Sequence, residues 1–323
     1  MELEKILSPI KEELIDFDRK LKEYISPDSP LIYQVANHLF GTKGKRLRPA
    51  LVYLSGGAFG KNESNFTKAA LLIELIHNAT LLHDDVVDQS KTRRGKPTVN
   101  AKWNNLISVL MGDYLFAKAF KMMMEIKSKP LLSAISKATE RVSVGELLQV
   151  QECYNYELDE KSYLDIIKEK TASLFSVSCG AGVILSQAKG NHLKNLKAYG
   201  ENFGIAFQIA DDLLDFVGNK KKTGKEKGND LREGKATLPL IYALKKTKKK
   251  TKEGIIKILE KNVDHDDFLK VLEFIQKEGG LKYAKSKASE FGEKALNNIF
   301  EIEDSEYKKS LSSLVEFAIK RDK

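Results

Sequence analysis

Apolar residues recur every three or four positions along almost the whole chain, and no other sequence feature restricts the fold as strongly. The first such run contains Leu3, Ile6, Leu7, Ile10, Leu14, Phe17 and Leu21. This spacing places apolar side chains on one face of an α-helix, and no sustained alternation typical of strands competes with it. The sequence therefore predicts an all-α protein.

Prolines mark several ends of the predicted helices. Pro27 and Pro30 close the first helix, Pro49 lies near the start of another, and Pro97 and Pro130 lie in or beside connections. Helices are predicted near residues 2–24, 31–40, 46–58, 64–89, 100–125, 130–154, 160–187, 191–218, 235–247, 252–262, 264–277, 279–299 and 305–320.

Three segments, 69–88, 171–187 and 203–217, are apolar nearly all round, so they are predicted to be central helices that other helices surround. No linker rich in Pro, Gly or Ser separates them. Residues 1–323 are therefore predicted to form one domain, a single large helical bundle.

Two polar stretches interrupt the helical pattern. Residues 218–235 contain several Gly and Lys together with Asp230, and they are predicted to form a mobile loop that could act as a lid. Residues 245–252 are mostly lysine and are interpreted as a solvated turn.

Composition narrows the class of protein without deciding its function. Apolar residues make up 42% of the chain, which is enough for a sizeable core. The net charge of +9 is compatible with binding to nucleic acid, to a membrane surface or to polyphosphate ligands. The cysteines, Cys153 and Cys179, lack metal-ligand spacing, which indicates a reducing compartment without disulfides. Because targeting and membrane-spanning segments are not recognised, we expect a cytoplasmic protein.

Two acidic motifs of the same form each close a long apolar run. They are Asp84-Asp85-Val86-Val87-Asp88 and Asp211-Asp212-Leu213-Leu214-Asp215. Residues four apart share a helix face, so each motif presents a pair of carboxylates, and the two pairs could face each other. Carboxylates near a helix C-terminus and beside apolar residues need a cation. Hard oxygen ligands of this kind suit Mg²⁺ bound together with substrate phosphates.

Cationic residues accompany both motifs. Gly44-Lys45-Arg46-Leu47-Arg48-Pro49 precedes a predicted helix, Arg93-Arg94-Gly95 follows the first motif, and Lys225 and Lys235 flank the loop after the second. Arginine binds phosphate through a planar fork and lysine as a point charge. Carboxylates that bind Mg²⁺ beside such cations indicate a diphosphate site, whereas nucleic acid would need no acidic pair.

These segments together resemble the trans-prenyl diphosphate synthases. The resemblance rests on the Gly-Lys-Arg-Leu-Arg-Pro segment, the His-Asp-Asp-Val-Val-Asp motif with Arg93-Arg94-Gly95, Lys170-Thr171-Ala172, and Gln208 through Asp215, in this order within residues 41–239. It implies an all-α isoprenoid synthase fold with a central cavity. It also implies a prenyltransferase that condenses isopentenyl diphosphate with an allylic diphosphate.

The resemblance also implies a role for each residue of these segments. Asp84, Asp88 and Asp211 would bind Mg²⁺, three ions with substrate present, supported by Asp85, Asp212 and Asp215. The allylic diphosphate would be bound by Arg93, Lys170, Thr171, Gln208, Lys225 and Lys235, which with the three metal ligands form the catalytic set. Isopentenyl diphosphate would be bound by Lys45, Arg48, His77 and Arg94.

Several of these residues also have a structural interpretation. His77 lies two helical turns before Asp84, but a lone helical histidine is usually structural. Gln208 could make a structural hydrogen bond if it is buried. Lys170 and Thr171 could decorate an ordinary helix, and Lys225 and Lys235 lie among many exposed lysines.

Product length is predicted from the residues just before the first motif, where large aromatics stop elongation early in this family. Ala79 and Thr80 are small, so the chain resembles long-chain synthases of the hexaprenyl to octaprenyl type that supply quinone tails. The tunnel floor would then lie deeper, at Phe116 and Phe120, although an aromatic pair at this spacing is also typical of plain core.

Other functions stay open at this point. They are a shorter-chain synthase making geranylgeranyl or farnesyl diphosphate, a terpene cyclase, a non-catalytic helical subunit and a nucleic-acid-binding protein. Cyclases usually replace the second aspartate motif, a subunit should lack one, and a nucleic-acid binder should show strong salt dependence. We expect that farnesyl or geranylgeranyl diphosphate is the primer and that the protein is a homodimer. We expect that it does not bind nucleic acid and that it contacts a membrane only during product release.

Overall fold

The fold of this protein consists of α-helices joined by short connections. The computed structural model describes residues 2–25, 29–41, 44–60, 63–218, 227–261 and 263–320, with the side chains of residues 63 and 64 excepted. Helices in the first half are α1 (Leu3–Ile6), α2 (Lys11–Ile25), α3 (Pro30–Phe40), α4 (Leu47–Gly57), α5 (Glu63–Val87), α6 (Val99–Lys102), α7 (Asn105–Glu125), α8 (Lys129–Gln151) and α9 (Glu160–Ile167). Those in the second half are α10 (Ser173–Ser186), α11 (His192–Val217), α12 (Asn229–Arg232), α13 (Leu238–Lys246), α14 (Lys249–Leu259), α15 (His265–Lys277), α16 (Gly280–Asn298) and α17 (Glu306–Lys320). The all-α prediction is confirmed.

A short hairpin follows the first acidic motif, where the sequence predicted a plain connection. Strands β1 (Thr92–Arg93) and β2 (Lys96–Pro97) pair antiparallel, with Arg93 opposite Lys96. The residues between them, Arg94 and Gly95, have φ of 52° and 74°. Two consecutive residues with positive φ form the tight turn that suits the twist of a two-stranded hairpin.

Several helices predicted as continuous are interrupted. A 3₁₀ turn at Ser8–Ile10 separates α1 from α2, because Pro9 lacks an N–H to continue the helix. Asn104 separates α6 from α7, since its side chain accepts a hydrogen bond from the N–H of Ile107 at 2.8 Å and so begins a new helix. A π-helical turn, Lys168–Ala172, separates α9 from α10.

Two polar segments are more helical than the sequence predicted. Helix α14 begins at Lys249, inside the lysine run interpreted as a solvated turn, because Ile255 and Leu259 give it a buried face. The predicted lid loop contains the short helix α12 at Asn229–Arg232, which buries Leu231. Residues 219–226 of that loop lie outside the described residues.

The described chain divides into two compact units. The first unit comprises residues 1–139, 174–200 and 297–314. Within it, α5 packs against α4 and α7 and buries Leu72, and Leu51 of α4 is also fully buried. A Cβ on Gly182 would lie 2.4 Å from the backbone N of Gly56, so α10 and α4 can approach this closely only because glycine stands there.

The second unit comprises residues 140–173, 201–296 and 315–323. Its apolar cluster includes Tyr156, Tyr163, Ile209, Phe216 and Phe268, all buried. Helix α13 contacts α9 and α15 around this cluster. The first acidic motif belongs to the first unit and the second motif to the second unit. The single domain, the central cavity and the facing arrangement of the motifs stay predictions.

Among the described residues, no helix is long and apolar enough to cross a membrane.

Candidate functional site

The first acidic motif lies at the C-terminal end of α5. Asp84 and Asp85 belong to the last helical turn, and the N–H of Asp88 donates to the carbonyl of Asp84 at 2.8 Å, so Asp84 and Asp88 stay on one face. Both side chains are partly exposed, whereas Asp85 is only 4% exposed. The motif therefore presents two carboxylates outward and keeps its middle one inside.

The buried Asp85 is tied to the hairpin. Its Oδ1 accepts a hydrogen bond from Nε of Arg93 at 2.8 Å and forms an ion pair with Nη2 of the same side chain, also at 2.8 Å. Burial raises the pKa of Asp85, and the charge of Arg93 opposes that effect. Nδ2 of Asn100 donates to the backbone carbonyls of Asp85 at 3.0 Å and Ser90 at 3.2 Å. Asn100 was missed by sequence reasoning because no pattern linked it to the motif.

The residues predicted to bind isopentenyl diphosphate meet in the first unit. Nη1 of Arg48 lies 3.0 Å from Nε2 of His77, and a Cβ on Gly44 would lie 2.8 Å from Nη1 of Arg94. Burial, followed by the charges of Arg48 and Arg94, holds the pKa of His77 well below its usual value. A neutral His77 accepts the hydrogen bond from Arg48 and so orients it. The adjoining Lys45 is exposed.

Arg48 lies beside an aromatic ring and has a buried hydrogen-bond donor that an anion could satisfy. Its guanidinium lies 4.4 Å from the ring centroid of Phe175, and burial lowers its pKa to about 10. Its Nε is buried and has no hydrogen-bond partner among the described residues. A buried donor without a partner is rare in proteins, and an oxyanion would satisfy it. Phe175 gave no signal in the sequence because it lies in an apolar run.

Arg46 holds this cationic segment in place. It has φ of 50° immediately before α4, and its Nη1 donates to Glu74 at 2.7 Å while its Nε donates to Asp18 at 2.9 Å. The side chains of Arg46 and Glu74 are 11% and 7% exposed. Arg46 therefore makes internal ion pairs, and these fix the backbone between Lys45 and Arg48.

The second acidic motif, in α11, uses its three aspartates differently. Asp211 is exposed and Asp212 is only 6% exposed. Asp215 accepts hydrogen bonds from the N–H groups of Asn229 and Asp230, both at 3.1 Å. Asp215 therefore caps the short helix α12 and fixes the end of the loop that follows the motif.

Asp212 lies within a chain of side-chain hydrogen bonds in the second unit. Its Oδ2 accepts from the hydroxyl of Tyr163 at 2.6 Å, and its Oδ1 accepts from Nε2 of Gln208 at 2.7 Å. Oε1 of Gln208 in turn accepts from the hydroxyl of Thr171 at 2.9 Å. Burial raises the pKa of Asp212 to about 7, although the hydrogen bonds from Tyr163 and Gln208 oppose the shift.

Lys170 and Thr171 lie in the π-helical turn, a feature common at functional sites. Nζ of Lys170 donates to Glu146 at 2.7 Å. A Cβ on Gly145 would lie 2.3 Å from the backbone N of Lys170, so glycine is needed for this approach. Arg141 binds Glu169 through two hydrogen bonds, at 2.6 and 2.9 Å, and so braces the turn.

Of the two lysines predicted to bind the allylic diphosphate from the loop, the structure describes Lys235. Lys225 lies outside the described residues. Nζ of Lys235 donates to Glu233 at 2.6 Å, and its N–H donates to the carbonyl of Asp230 at 2.8 Å. Lys235 is therefore attached to the same short helix that Asp215 caps.

The predicted product-length residues lie on α5 and α7. Ala79 is fully buried and Thr80 is half-buried, with its hydroxyl donating to the carbonyl of His77 at 2.8 Å. The rings of Phe116 and Phe120 are 6.5 Å apart. Phe120 is 58% exposed, which is not the setting expected of a tunnel floor in a single chain. The floor role stays a prediction.

The donor atoms of both motifs suit a hard divalent cation. In the described part of the chain, no group of three or more His, Cys, Asp or Glu side chains could hold a metal ion. Mg²⁺ commonly takes one or two carboxylates from a protein and its other ligands from substrate phosphates and water, which suits the pair of Asp84 and Asp88 on one helix face. The metal roles of Asp84, Asp88 and Asp211 stay predictions.

Comparison with known proteins identifies the family. Residues 29–275 match the family described as polyprenyl synthetase. The chain belongs to the polyprenyl synthetase family. It is 37% identical to an all-trans-nonaprenyl-diphosphate synthase (geranyl-diphosphate specific) of Rhodobacter capsulatus, covering 98% of this chain and 97% of that protein.

Two further members of this family are similar over the full length. An octaprenyl diphosphate synthase of Escherichia coli K12 is 35% identical over 100% of both chains. The crystal structure of a polyprenyl synthase from Caulobacter crescentus CB15, complexed with calcium and isoprenyl diphosphate, has a TM-score of 0.94 and 34% identity. It covers 100% of this chain and 98% of that one. The predicted resemblance is thus confirmed.

Proposed function

We propose that this polyprenyl synthetase condenses isopentenyl diphosphate with an allylic diphosphate repeatedly, to give a long all-trans polyprenyl diphosphate of the hexaprenyl to octaprenyl type. One observation carries the proposal. The chain keeps both aspartate motifs complete, and it is similar along its whole length to octaprenyl and nonaprenyl synthases. Quinone side chains are the use that such a product would have.

The chain's own residues would act first on the allylic substrate. Lys170 lies on the π-helical turn beside Thr171, and its ammonium, together with Arg93, Lys225 and Lys235, would neutralise the departing diphosphate. Placing fixed positive charge where negative charge develops stabilises the transition state of ionisation. The amide oxygen of Gln208 accepts a hydrogen bond from Thr171 and keeps a second lone pair, so this oxygen and that of Thr171 would both stabilise the nearby allylic cation.

The second substrate would be held by the cationic cluster of the first unit. The unpaired Nε of Arg48 supports this role, since a diphosphate oxygen would supply the hydrogen-bond acceptor that it lacks. Arg94 and Lys45 would add charge, and His77 would orient Arg48. The double bond of isopentenyl diphosphate would then attack the cation, and the released diphosphate would remove the proton.

The metal we propose is Mg²⁺, three ions with substrate bound, held by Asp84, Asp88 and Asp211. When bound, it supplies Lewis-acid stabilisation of the charge on the leaving diphosphate. Support comes from the donor set, and from the calcium and isoprenyl diphosphate in the similar Caulobacter structure.

We also propose that two copies associate through α7. Its outward face carries Leu106, Leu110, Phe120 and Met124, which are 64%, 53%, 58% and 81% exposed. This stripe spans about five turns, roughly 27 Å along the helix. Exposed apolar residues that share one helix face mark an interaction surface, and a two-fold axis pairs one surface with itself. We further propose that the protein is cytoplasmic and that it contacts a membrane only during product release.

The test is a condensation assay with product analysis. Purified protein, Mg²⁺, isopentenyl diphosphate and farnesyl diphosphate are incubated, and the extended product is identified by mass. We expect a hexaprenyl to octaprenyl diphosphate and loss of activity when EDTA removes the metal. A product that stops at geranylgeranyl diphosphate would indicate the shorter-chain alternative. No extension with any allylic primer, alongside salt-sensitive binding of DNA or RNA, would overturn the proposal.

A further inference from the structure

Tyr163 is buried in the second unit and contacts the second acidic motif from another helix. It lies in α9, forty-nine residues before Asp212, and is 3% exposed. Its ring belongs to the apolar cluster, and its hydroxyl donates to Oδ2 of Asp212 at 2.6 Å. A phenylalanine would fill the same space, so the hydroxyl has a use other than packing.

That hydroxyl begins a chain of three hydrogen bonds that ends at Thr171. Tyr163 donates to Asp212, Gln208 donates to the other oxygen of Asp212, and Thr171 donates to Gln208. With both carboxylate oxygens engaged, Asp212 cannot rotate freely. Its Oδ1 requires the NH₂ group of Gln208, which turns the amide oxygen toward Thr171.

Each link therefore fixes the next in a defined direction. Asp212 directly follows Asp211, so restraining Asp212 also restrains the turn of α11 that presents Asp211. Thr171 uses its single hydroxyl proton on Gln208, which leaves its oxygen as an acceptor only. The Asp212 carboxylate sets the direction of the chain, and the hydroxyl of Tyr163 restrains the rotation of that carboxylate.

We propose that Tyr163 is a positioning residue for the condensation, acting through Asp212 to hold Asp211, Gln208 and Thr171 in their productive orientations. This inference rests on the proposed function. Groups that orient metal ligands without touching the metal typically change metal affinity or activity 10- to 100-fold when removed.

The matched variants are Tyr163→Phe and Tyr156→Phe. Tyr156 lies in the same apolar cluster, is also buried, and donates its hydroxyl to the backbone carbonyl of Leu259 at 2.9 Å. Each variant thus removes one buried hydroxyl of a hydrogen-bonded tyrosine. They differ in the partner, which is a motif aspartate for Tyr163 and a backbone carbonyl at the end of α14 for Tyr156.

The first readout is calorimetric titration of Mg²⁺ with inorganic diphosphate into each folded protein, which needs no turnover. We expect Tyr163→Phe to weaken binding by about 10-fold or more, and Tyr156→Phe to leave it unchanged. The second readout is kinetic. We expect kcat to fall by about 10- to 100-fold in Tyr163→Phe with the KM for isopentenyl diphosphate retained. Urea unfolding of both variants reports any common loss of stability.

A double-mutant cycle supplies the decisive control. In the Asp212→Asn background, Tyr163→Phe should have little further effect, because the two residues act as one unit. If diphosphate binding and kcat are equal in Tyr163→Phe and Tyr156→Phe, the positioning role of Tyr163 is overturned. The proposed function would still stand in that case, provided that the unaltered enzyme extends its primer. Failure of the unaltered enzyme to extend any primer would reject the proposed function instead.

Discussion

The middle aspartates of the two motifs share one arrangement at the residue scale. Asp85 is buried and bound by Arg93, and Asp212 is buried and bound by Tyr163 and Gln208. Burying a carboxylate without partners is unfavourable, so each motif needs the donors that surround its middle position. Each motif thus has a buried middle aspartate that fixes the segment, whereas its outer aspartates differ: Asp84 and Asp88 are partly exposed, Asp211 is exposed, and Asp215 caps α12.

This division of roles predicts different effects for Asp211 and Asp215. Asp211→Asn should lower Mg²⁺-dependent condensation by about 10²- to 10³-fold or more, with an unchanged free energy of unfolding because the side chain is exposed. Asp215→Ala should lower the free energy of unfolding by about 1 kcal/mol, because two N–H groups at the start of α12 lose their acceptor. Steady-state assays and urea unfolding measure the two effects. Near-normal activity in Asp211→Asn would reject its metal role.

Arg46 supports a second prediction at this scale. Glu74→Gln should lower the free energy of unfolding by about 3 kcal/mol, because Arg46 would lose one partner of a buried ion pair. Asp16→Asn is the control, because Asp16 pairs with Arg19 and Lys20 on the surface. This substitution should lower the free energy of unfolding by about 0.5 kcal/mol or less. Equal midpoints and slopes of urea unfolding in the two variants would contradict the assigned role of Arg46.

At the scale of elements, long uninterrupted helices could be predicted from the sequence, whereas the breaks within other predicted helices could not. Helices α5 and α11 begin and end within two residues of the predicted bounds, because apolar residues recur at spacings of three and four along most of their length. The hairpin has two residues per strand, too few to show a period. The π-helical turn changes the hydrogen-bond register without changing the apolar spacing, so the sequence predicted one continuous helix.

Some residues of the candidate site could likewise be predicted from the sequence, and others could not. Both acidic motifs and their basic companions were found by spacing and by resemblance, because the relevant residues are neighbours in sequence. Tyr163 and Asn100 were not identified, and the ion pairs of Arg46 were not predicted, because each of these side chains contacts a residue in another element. Which aspartate of a motif is buried also depends on neighbouring helices, and four-residue spacing alone cannot say that Asp215 would cap a distant turn.

Helix α5 carries the prediction on product length. Replacing Ala79 by Leu and then by Phe should shorten the product stepwise, while the first condensation with a short allylic primer is largely retained. Ala79 is fully buried, so the larger side chains are also expected to reduce stability by about 1 to 3 kcal/mol. Product mass and the thermal midpoint should be measured together. A folded Ala79→Phe variant with unchanged product length would refute the tunnel assignment.

At the scale of the whole molecule, the exposed stripe of α7 determines the expected oligomeric state. Leu110→Glu should convert a dimer to a monomer in sedimentation velocity experiments, because it places a charge within an apolar surface that must lose its water. Phe300→Glu is the control, since Phe300 is 79% exposed and lies outside α7. An unaltered protein that sediments as a monomer, or a Leu110→Glu variant that stays dimeric, would reject this surface.

The hydroxyl of Thr171 has a consequence for inhibitor design. Its proton is already committed to Gln208, so the oxygen can receive a hydrogen bond or a positive charge but has nothing to offer an acceptor. A compound that carries an ammonium at the reacting carbon should therefore bind more tightly than its neutral carbon isostere. Swapping that ammonium for an ether oxygen should remove the advantage, because two lone-pair donors would then face each other.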